Sequence, residues 1–221
     1  LLDENIEDID WEALANFDLV GVTGMNVQKE RMKEILLRLQ DMPPFVAVGG
    51  PYASVKEDYF DGLCDAVFVG EAEETWPAFL DAFARGEPTS RRHQQADRTD
   101  MTTVPIPRYD LLDVKAYASG SVQYSRGCPF QCEFCDIIVI FGRKPRVKEP
   151  DALVAELEAM RVAGFFSAFI VDDNFIGNKK KAKDALEAII PWQKAHGYPL
   201  RLTTEASLNL AVTYNDMGRY H

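Results

Sequence analysis

The sequence predicts an α/β protein built from two successive units, each a parallel sheet with covering helices. Two observations predict it. Short apolar strands alternate with amphipathic helices up to about residue 86 and again from about residue 117. Between them, from about Glu87 to Pro107, the periodicity is lost.

In the first unit, residues 18–23 (Asp18-Leu19-Val20-Gly21-Val22-Thr23) read as a buried strand. The next helix carries Met32, Ile35, Leu36 and Leu39 at the i, i+3, i+4, i+7 spacing of one apolar face. Phe45-Val46-Ala47-Val48 is a second strand, closed by Gly49-Gly50-Pro51, and residues 65–69 are a third, closed by Gly70. A helix follows, with Thr75 placed as N-cap and Pro77 in its first turn. Such alternation implies a parallel sheet covered on both faces. Gly86, Pro88, Pro105 and Pro107 bracket a polar, arginine-bearing stretch that reads as an interdomain linker or a long surface loop.

In the second unit, residues 121–125 form a strand that runs into a cysteine-rich loop. Pro150 opens a helix with Leu153, Leu157 and Met160 on one face, and residues 166–171 form the next strand. A helix after Asn178 turns Ala182, Leu186 and Ile189 inward, with a kink or break expected at Pro191, and residues 199–204 form a third strand. The boundaries are therefore drawn at 1–88, 89–116 and 117–221. Three strand–helix steps make only part of a barrel, and the chain opens on Leu1, so it reads as a piece incomplete at both ends.

Composition limits the function classes. An apolar fraction of 47% with 27% charged residues is that of an ordinary globular chain. No stretch approaches the roughly 20 apolar residues that span a bilayer, and residues 1–5 lack the features of a signal peptide, so the expected location is the cytoplasm. A net charge of −11 argues against a surface that tracks nucleic-acid phosphates. Of four cysteines, three fall within eight residues, a distribution that points to metal rather than disulfides.

Those three, Cys128, Cys132 and Cys135, have the spacing C-x3-C-x2-C directly after a strand. Three thiolates on one loop can hold three irons of a [4Fe–4S] cube and leave the fourth open to a substrate or cofactor. Structural zinc is the competing reading. It usually takes four protein ligands, and neither Cys64 nor any of His93, His196 and His221 stands at a familiar zinc spacing from the trio.

The loop resembles the signature of the radical S-adenosylmethionine (SAM) superfamily. The resemblance implies that Cys128, Cys132 and Cys135 ligate the cluster, that the open iron binds SAM, and that Phe134 lies near the adenine. On spacing alone Phe134 is equally a core aromatic. Asp172, Asp173 and Asn174 end the second strand, where acceptors for the SAM ammonium would stand; the alternative is a turn or a helix cap. Glu205 ends the third strand on the same face. The basic residues Arg143, Lys144 and Arg146, and Lys179 to Lys181 at a helix start, read first as solvated and second as anion contacts.

In the first unit, the loops at the carboxyl ends of the strands present Thr23, Gly24, Gly49, Gly50, Gly70 and Glu71. Ligands bind at this end of such sheets, and glycine lets the backbone approach a bulky one, although each loop alone is also a plain tight turn. Their order, followed by Pro105-Ile106-Pro107-Arg108-Tyr109-Asp110 and the cysteine loop, resembles cobalamin-binding radical SAM enzymes. The stretches from Asp172 to Lys180 and from Thr204 to Asn209 resemble the branch that contains the hopanoid C-2 methylase.

The resemblance implies a partial Rossmann-like cobalamin-binding domain followed by the first part of a radical SAM (β/α) partial barrel. It implies an enzyme using a [4Fe–4S] cluster, SAM and cobalamin to methylate an unactivated carbon of a small-molecule or lipid substrate. A flavodoxin or ferredoxin would serve as electron donor. No Asp-x-His-x-x-Gly motif occurs, so no histidine is assigned to cobalt. An oxidative or ring-forming radical enzyme and a zinc-stabilised binding module are the competing functions.

Overall fold

The computed structural model describes residues 1–207, and the tail 212–221 with its expected departure from helix lies outside them. The chain divides into two compact regions. The first comprises Leu2–Thr99 with Val139–Phe141, and the second Leu1, Asp100–Ile138 and, of the described residues, 142–207.

In the first region a short helix α1 (Trp11–Leu14) precedes β1 (Leu19–Thr23). Helix α2 (Lys29–Leu39), β2 (Phe45–Gly49), α3 (Pro51–Val55), β3 (Ala66–Phe68) and α4 (Thr75–Ala84) follow. The sheet is parallel throughout, in the order β1-β2-β3 with a fourth strand, β4 (Arg92–His93), beside β3, and Thr23 lies opposite Gly49 at its carboxyl end. Alternation sends Val20, Val22, Val46, Val48, Val67 and Val69 to one face, packed with Met32, Leu36, Leu39, Ala53 and Phe60. Ala47, Ala66 and Phe68 point to the other, against Phe79 and Trp76 of α4. The expected two-faced burial is present.

Two details differ from expectation. The fourth strand, β4 (Arg92–His93), lies inside the stretch expected to be a linker. The stacking of the His93 ring on Phe68, with centroids 4.6 Å apart, draws this polar segment onto the sheet. The remainder of that stretch forms single turns at Met101–Thr103, Tyr109–Leu111 and Val114–Ala116, and buried Tyr109 joins the second core. The N-cap of α4 is Glu74 rather than Thr75; Thr75 is already helical, and its hydroxyl makes no capping bond.

The second region begins with β5 (Gly120–Val122). The expected strand 121–125 is broken, because Tyr124 turns its ring into the core and its hydroxyl donates to the Lys181 carbonyl at 2.9 Å. Beyond the break, β6 (Ser125–Arg126) pairs antiparallel with β7 (Arg146–Val147), and the chain between them carries the cysteines and a short helix α5 (Ile137–Ile140). Helix α6 (Pro150–Ala163), β8 (Ser167–Ile170), α7 (Lys179–Ala195) and β9 (Arg201–Thr204) complete the described chain.

The parallel sheet β5-β8-β9 is covered on one face by α6 and α7, through Val122, Leu153, Leu157, Met160, Ala168, Ile170, Ala185 and Ile189. On its other face the register partners Ser121, Phe169 and Thr203 are exposed or half-buried. Helix α7 runs through Pro191 without the expected break. Pro191 and Glu187, whose carbonyl loses its N–H partner, both lie on the exposed side, where water replaces the missing bond.

Candidate functional site

The cysteine loop is rooted on the β6–β7 ribbon. Its narrow neck is closed by the Cys128 N–H, which donates to the Gly142 carbonyl at 3.1 Å, and Gly127 and Gly142 both adopt positive φ there. Within the loop the Cys135 N–H donates to the Cys132 carbonyl at 3.2 Å. All three thiols are free; Cys132 is exposed, and Cys128 and Cys135 are half-buried. Among the described residues no group of three or more His, Cys, Asp or Glu side chains is drawn together at metal-holding distance. In number, kind and access the donor set fits three irons of a cluster. Phe134 is 91% exposed, which removes the reading of it as a core aromatic.

Strand β8 lies between β5 and β9, and its carboxyl end reaches to both sides. Asp172 is buried; its Oδ1 accepts from the Tyr124 N–H at 2.8 Å and the Ser125 N–H at 2.9 Å, and its Oδ2 from the Ser125 hydroxyl at 2.6 Å. Burial raises its carboxyl above the usual aspartate range, against the lowering effect of those three bonds. Asp173 accepts from the Gly127 N–H at 3.2 Å; burial raises it too, with Glu205 adding to the rise and Arg126 opposing it.

On the other side, buried Asn174 accepts from the Ser207 N–H at 3.2 Å and donates from Nδ2 to the Ser207 hydroxyl at 3.2 Å. Glu205 has an exposed side chain, and its carbonyl accepts from the Phe175 N–H. Gly177 lies beneath the loop, where an added Cβ would stand 3.1 Å from the Asn174 carbonyl oxygen and 3.3 Å from Pro129. Arg143 donates to the Pro129 carbonyl from above. Ser125, Ser207 and Gly177 thus shape the site without having been assigned to it from sequence, while Arg143, read there as solvated or an anion contact, holds the loop backbone. A serine or glycine beside a motif carries no periodic signal that would single it out.

A buried ion pair stands behind the ribbon. The Lys148 ammonium meets Glu156 of α6, both side chains almost wholly enclosed, while the Lys148 N–H donates to the Tyr124 carbonyl at 2.9 Å. Burial raises the Glu156 carboxyl, partly offset by Lys148.

In the first region the strand-end loops are linked through small groups. Gly50 has a φ of 96°, and a Cβ there would lie 2.5 Å from Thr23 Oγ1 and 3.2 Å from the Gly24 carbonyl oxygen. The Ser54 hydroxyl, not singled out from sequence, donates to the Gly50 carbonyl and accepts from the Gly70 N–H, each at 2.9 Å. Gly49 faces Phe68, and a Cβ on Gly70 would meet nothing within 4 Å. Glu71 is buried and accepts from the Thr99 N–H at 3.1 Å. Cys64 is distant in kind as well as sequence: half-buried beside the first core, with its thiol raised by burial.

The fold has counterparts among solved structures. The tryptophan-methylating radical SAM methyltransferase TsrM from Kitasatospora setae, solved with cobalamin and a [4Fe–4S] cluster bound, superimposes with a TM-score of 0.68 at 19% identity, over 87% of this chain and 46% of that one. OxsB, a cobalamin-dependent SAM radical enzyme, gives 0.64 at 20% identity, over 81% and 30%. No family model matches the chain. Among curated proteins, an uncharacterized methyltransferase of Synechocystis sp. is 46% identical over 218 residues, and the hopanoid C-2 methylase of Rhodopseudomonas palustris 41% over 214. These alignments cover 96% and 95% of this chain. The chain is thus similar in sequence to the hopanoid C-2 methylase and in fold to cobalamin-dependent radical SAM enzymes. It spans about 40% of the length of those two relatives. No helix among the described residues is long and apolar enough to cross a membrane.

Proposed function

We propose that the protein to which this chain belongs is a cobalamin-dependent radical SAM methyltransferase acting on an unactivated carbon. The observation that carries the reading is the free, accessible C-x3-C-x2-C loop, present in a chain 46% and 41% identical to methyltransferases. Cys128, Cys132 and Cys135 would hold a [4Fe–4S] cluster, and the strand ends bearing Asp173 and Glu205 would offer acceptors to the SAM ammonium. The backbone at Gly49, Gly50 and Gly70 would form the seat of the cobalamin, since open space at Gly70 admits a bulky group against the main chain. When bound, these groups supply one-electron chemistry that opens an inert C–H bond and a methyl group to place on the carbon.

The chain's own part is to hold the thiols on an anchored loop and to present polar strand ends beside it. A one-electron donor such as a flavodoxin or ferredoxin completes the system, and a reducing cytoplasm is the compartment that preserves the three thiols. The substrate is a small molecule or a lipid; the hopanoid named for one relative is a candidate of that class.

Anaerobic reconstitution of the full-length protein with iron and sulfide tests the reading. A [4Fe–4S] spectrum that is lost in Cys132→Ala, and a product heavier by one methylene unit, are expected. Zinc without iron or sulfide in anaerobically purified protein would refute it. A SAM-cleaving enzyme whose product gains no methylene would instead be a ring-forming or oxidative relative.

A further inference from the structure

We infer that Asp172-Asp173-Asn174 is a two-sided clasp, in which Asp172 positions the root of the cysteine loop and does not itself hold a ligand. This rests on the proposed function only in calling the loop a cluster loop. The clasp is visible without it.

The middle strand of the sheet places three polar side chains in a row, and two of them are inward enough to be almost fully enclosed. A buried carboxylate is tolerated only with its lone pairs engaged. Asp172 meets that condition with three donors from two consecutive residues, all at the point where β5 ends and β6 begins. Its 2% exposure leaves no free face for a ligand ammonium. Asp173 continues the same side one step further, at the Gly127 N–H next to Cys128.

Asn174 faces the opposite way, and its amide is matched to a residue with both a donor and an acceptor. Both of its polar atoms meet Ser207 beyond β9. Asparagine suits that side and aspartate the other because Tyr124 and Ser125 offer three donors, whereas the Ser207 hydroxyl must also accept. One strand end therefore sets the height of the loops on both sides of it. Of the three residues, Asp173 is the one left half-exposed.

The inference is tested on cluster-free, full-length protein, so that failure of cluster assembly does not affect the readout. Asp172→Ala is expected to raise amide exchange in the segment 123–128 by about ten-fold or more and to speed alkylation of Cys128. Asp172→Asn keeps the Oδ1 acceptor for both N–H groups and should restore most of the protection. Asn174→Ala should loosen Ser207 and leave 123–128 protected. If Asp172→Ala does not fold, Ser125→Ala carries the test, because it removes only the hydroxyl donor and should still raise exchange at 123–128.

Unchanged exchange at 123–128 in folded Asp172→Ala, or in Ser125→Ala where that variant carries the test, overturns the inference. So does SAM binding by reconstituted protein that falls equally in Asp172→Asn and Asp172→Ala, the mark of a charge contact to the ligand. Should no cluster form at all while exchange follows the expected pattern, the proposed function fails and the clasp stands.

Discussion

The two regions solve the same problem, holding loops at the carboxyl ends of parallel strands, by different means. The first links its loops through the absence of side chains: Gly50 lets the main chain lie against Thr23, and one serine hydroxyl joins Gly50 to Gly70. The second uses buried charge and amide groups, with Asp172, Asp173 and Asn174 gripping the neighbouring loops and Lys148–Glu156 set behind them. Glycine-built loops leave the backbone bare of side chains. The cysteine loop leaves Phe130, Phe134 and Val139 exposed, and it is held at its root by strong, directional bonds rather than by their burial.

The sharpest way to break this contrast is at the buried ion pair. Lys148→Ala leaves Glu156 in the core without its partner, where it must either carry an unpaired charge or take up a proton, and unfolding in urea should show a loss of about 3–5 kcal/mol. Replacing both partners, as Lys148→Met with Glu156→Leu, should recover most of it. A loss below about 1 kcal/mol in Lys148→Ala would place the pair among weak surface bridges and remove the contrast.

In the first region Gly50→Ala should cost about 1–3 kcal/mol, since the new methyl meets Thr23 Oγ1 at a backbone angle that disfavours any side chain. Thr23→Ala in the same protein should relieve part of that cost, and an additive result would show that backbone angle alone is responsible. Asn178→Ala removes the side chain that accepts from the Lys181 N–H and caps α7; a loss of about 1 kcal/mol is expected by the same urea titration.

The smallest effect sharpens the contrast by pH. Hydrogen bonding from Arg161 lowers the Glu158 carboxyl from 4.5 to about 2, and Glu158 also accepts from the Trp192 indole of α7. A depressed carboxyl stabilises above its unfolded value, so this contact is intact above about pH 4.5 and is lost as pH falls through about 2. Trp192 fluorescence should shift across that window in the native protein. In Glu158→Gln the shift should vanish.

The strands and principal helices were legible because apolar periodicity reports burial directly: Met32, Leu36 and Leu39 on α2, or Leu153, Leu157 and Met160 on α6, are buried as their spacing requires. The three-cysteine loop was legible as a motif. What sequence did not disclose was long-range and polar. β4 joins its sheet through a ring stacked on Phe68, and the break at Gln123-Tyr124 comes from a tyrosine anchored to α7, contacts that no local pattern encodes. The Asp-Asp-Asn run was visible as polar and positioned at a strand end, but which way each side chain turns depends on register with β5 and β9. Pro191 does not end α7, because a proline near a helix end, on its wet side, costs little.

Cys64 has a practical consequence for bookkeeping at the bench. Iron and sulfide capture thiolates, and burial keeps this sulfur protonated to higher pH than an ordinary cysteine. During anaerobic loading near neutral pH it is a spectator among the four cysteine thiols of this chain. A titration of reactive thiols before and after loading should therefore register the disappearance of three groups, with the fourth reacting slowly in both samples. That internal reference distinguishes a filled site from metal bound adventitiously elsewhere on the protein.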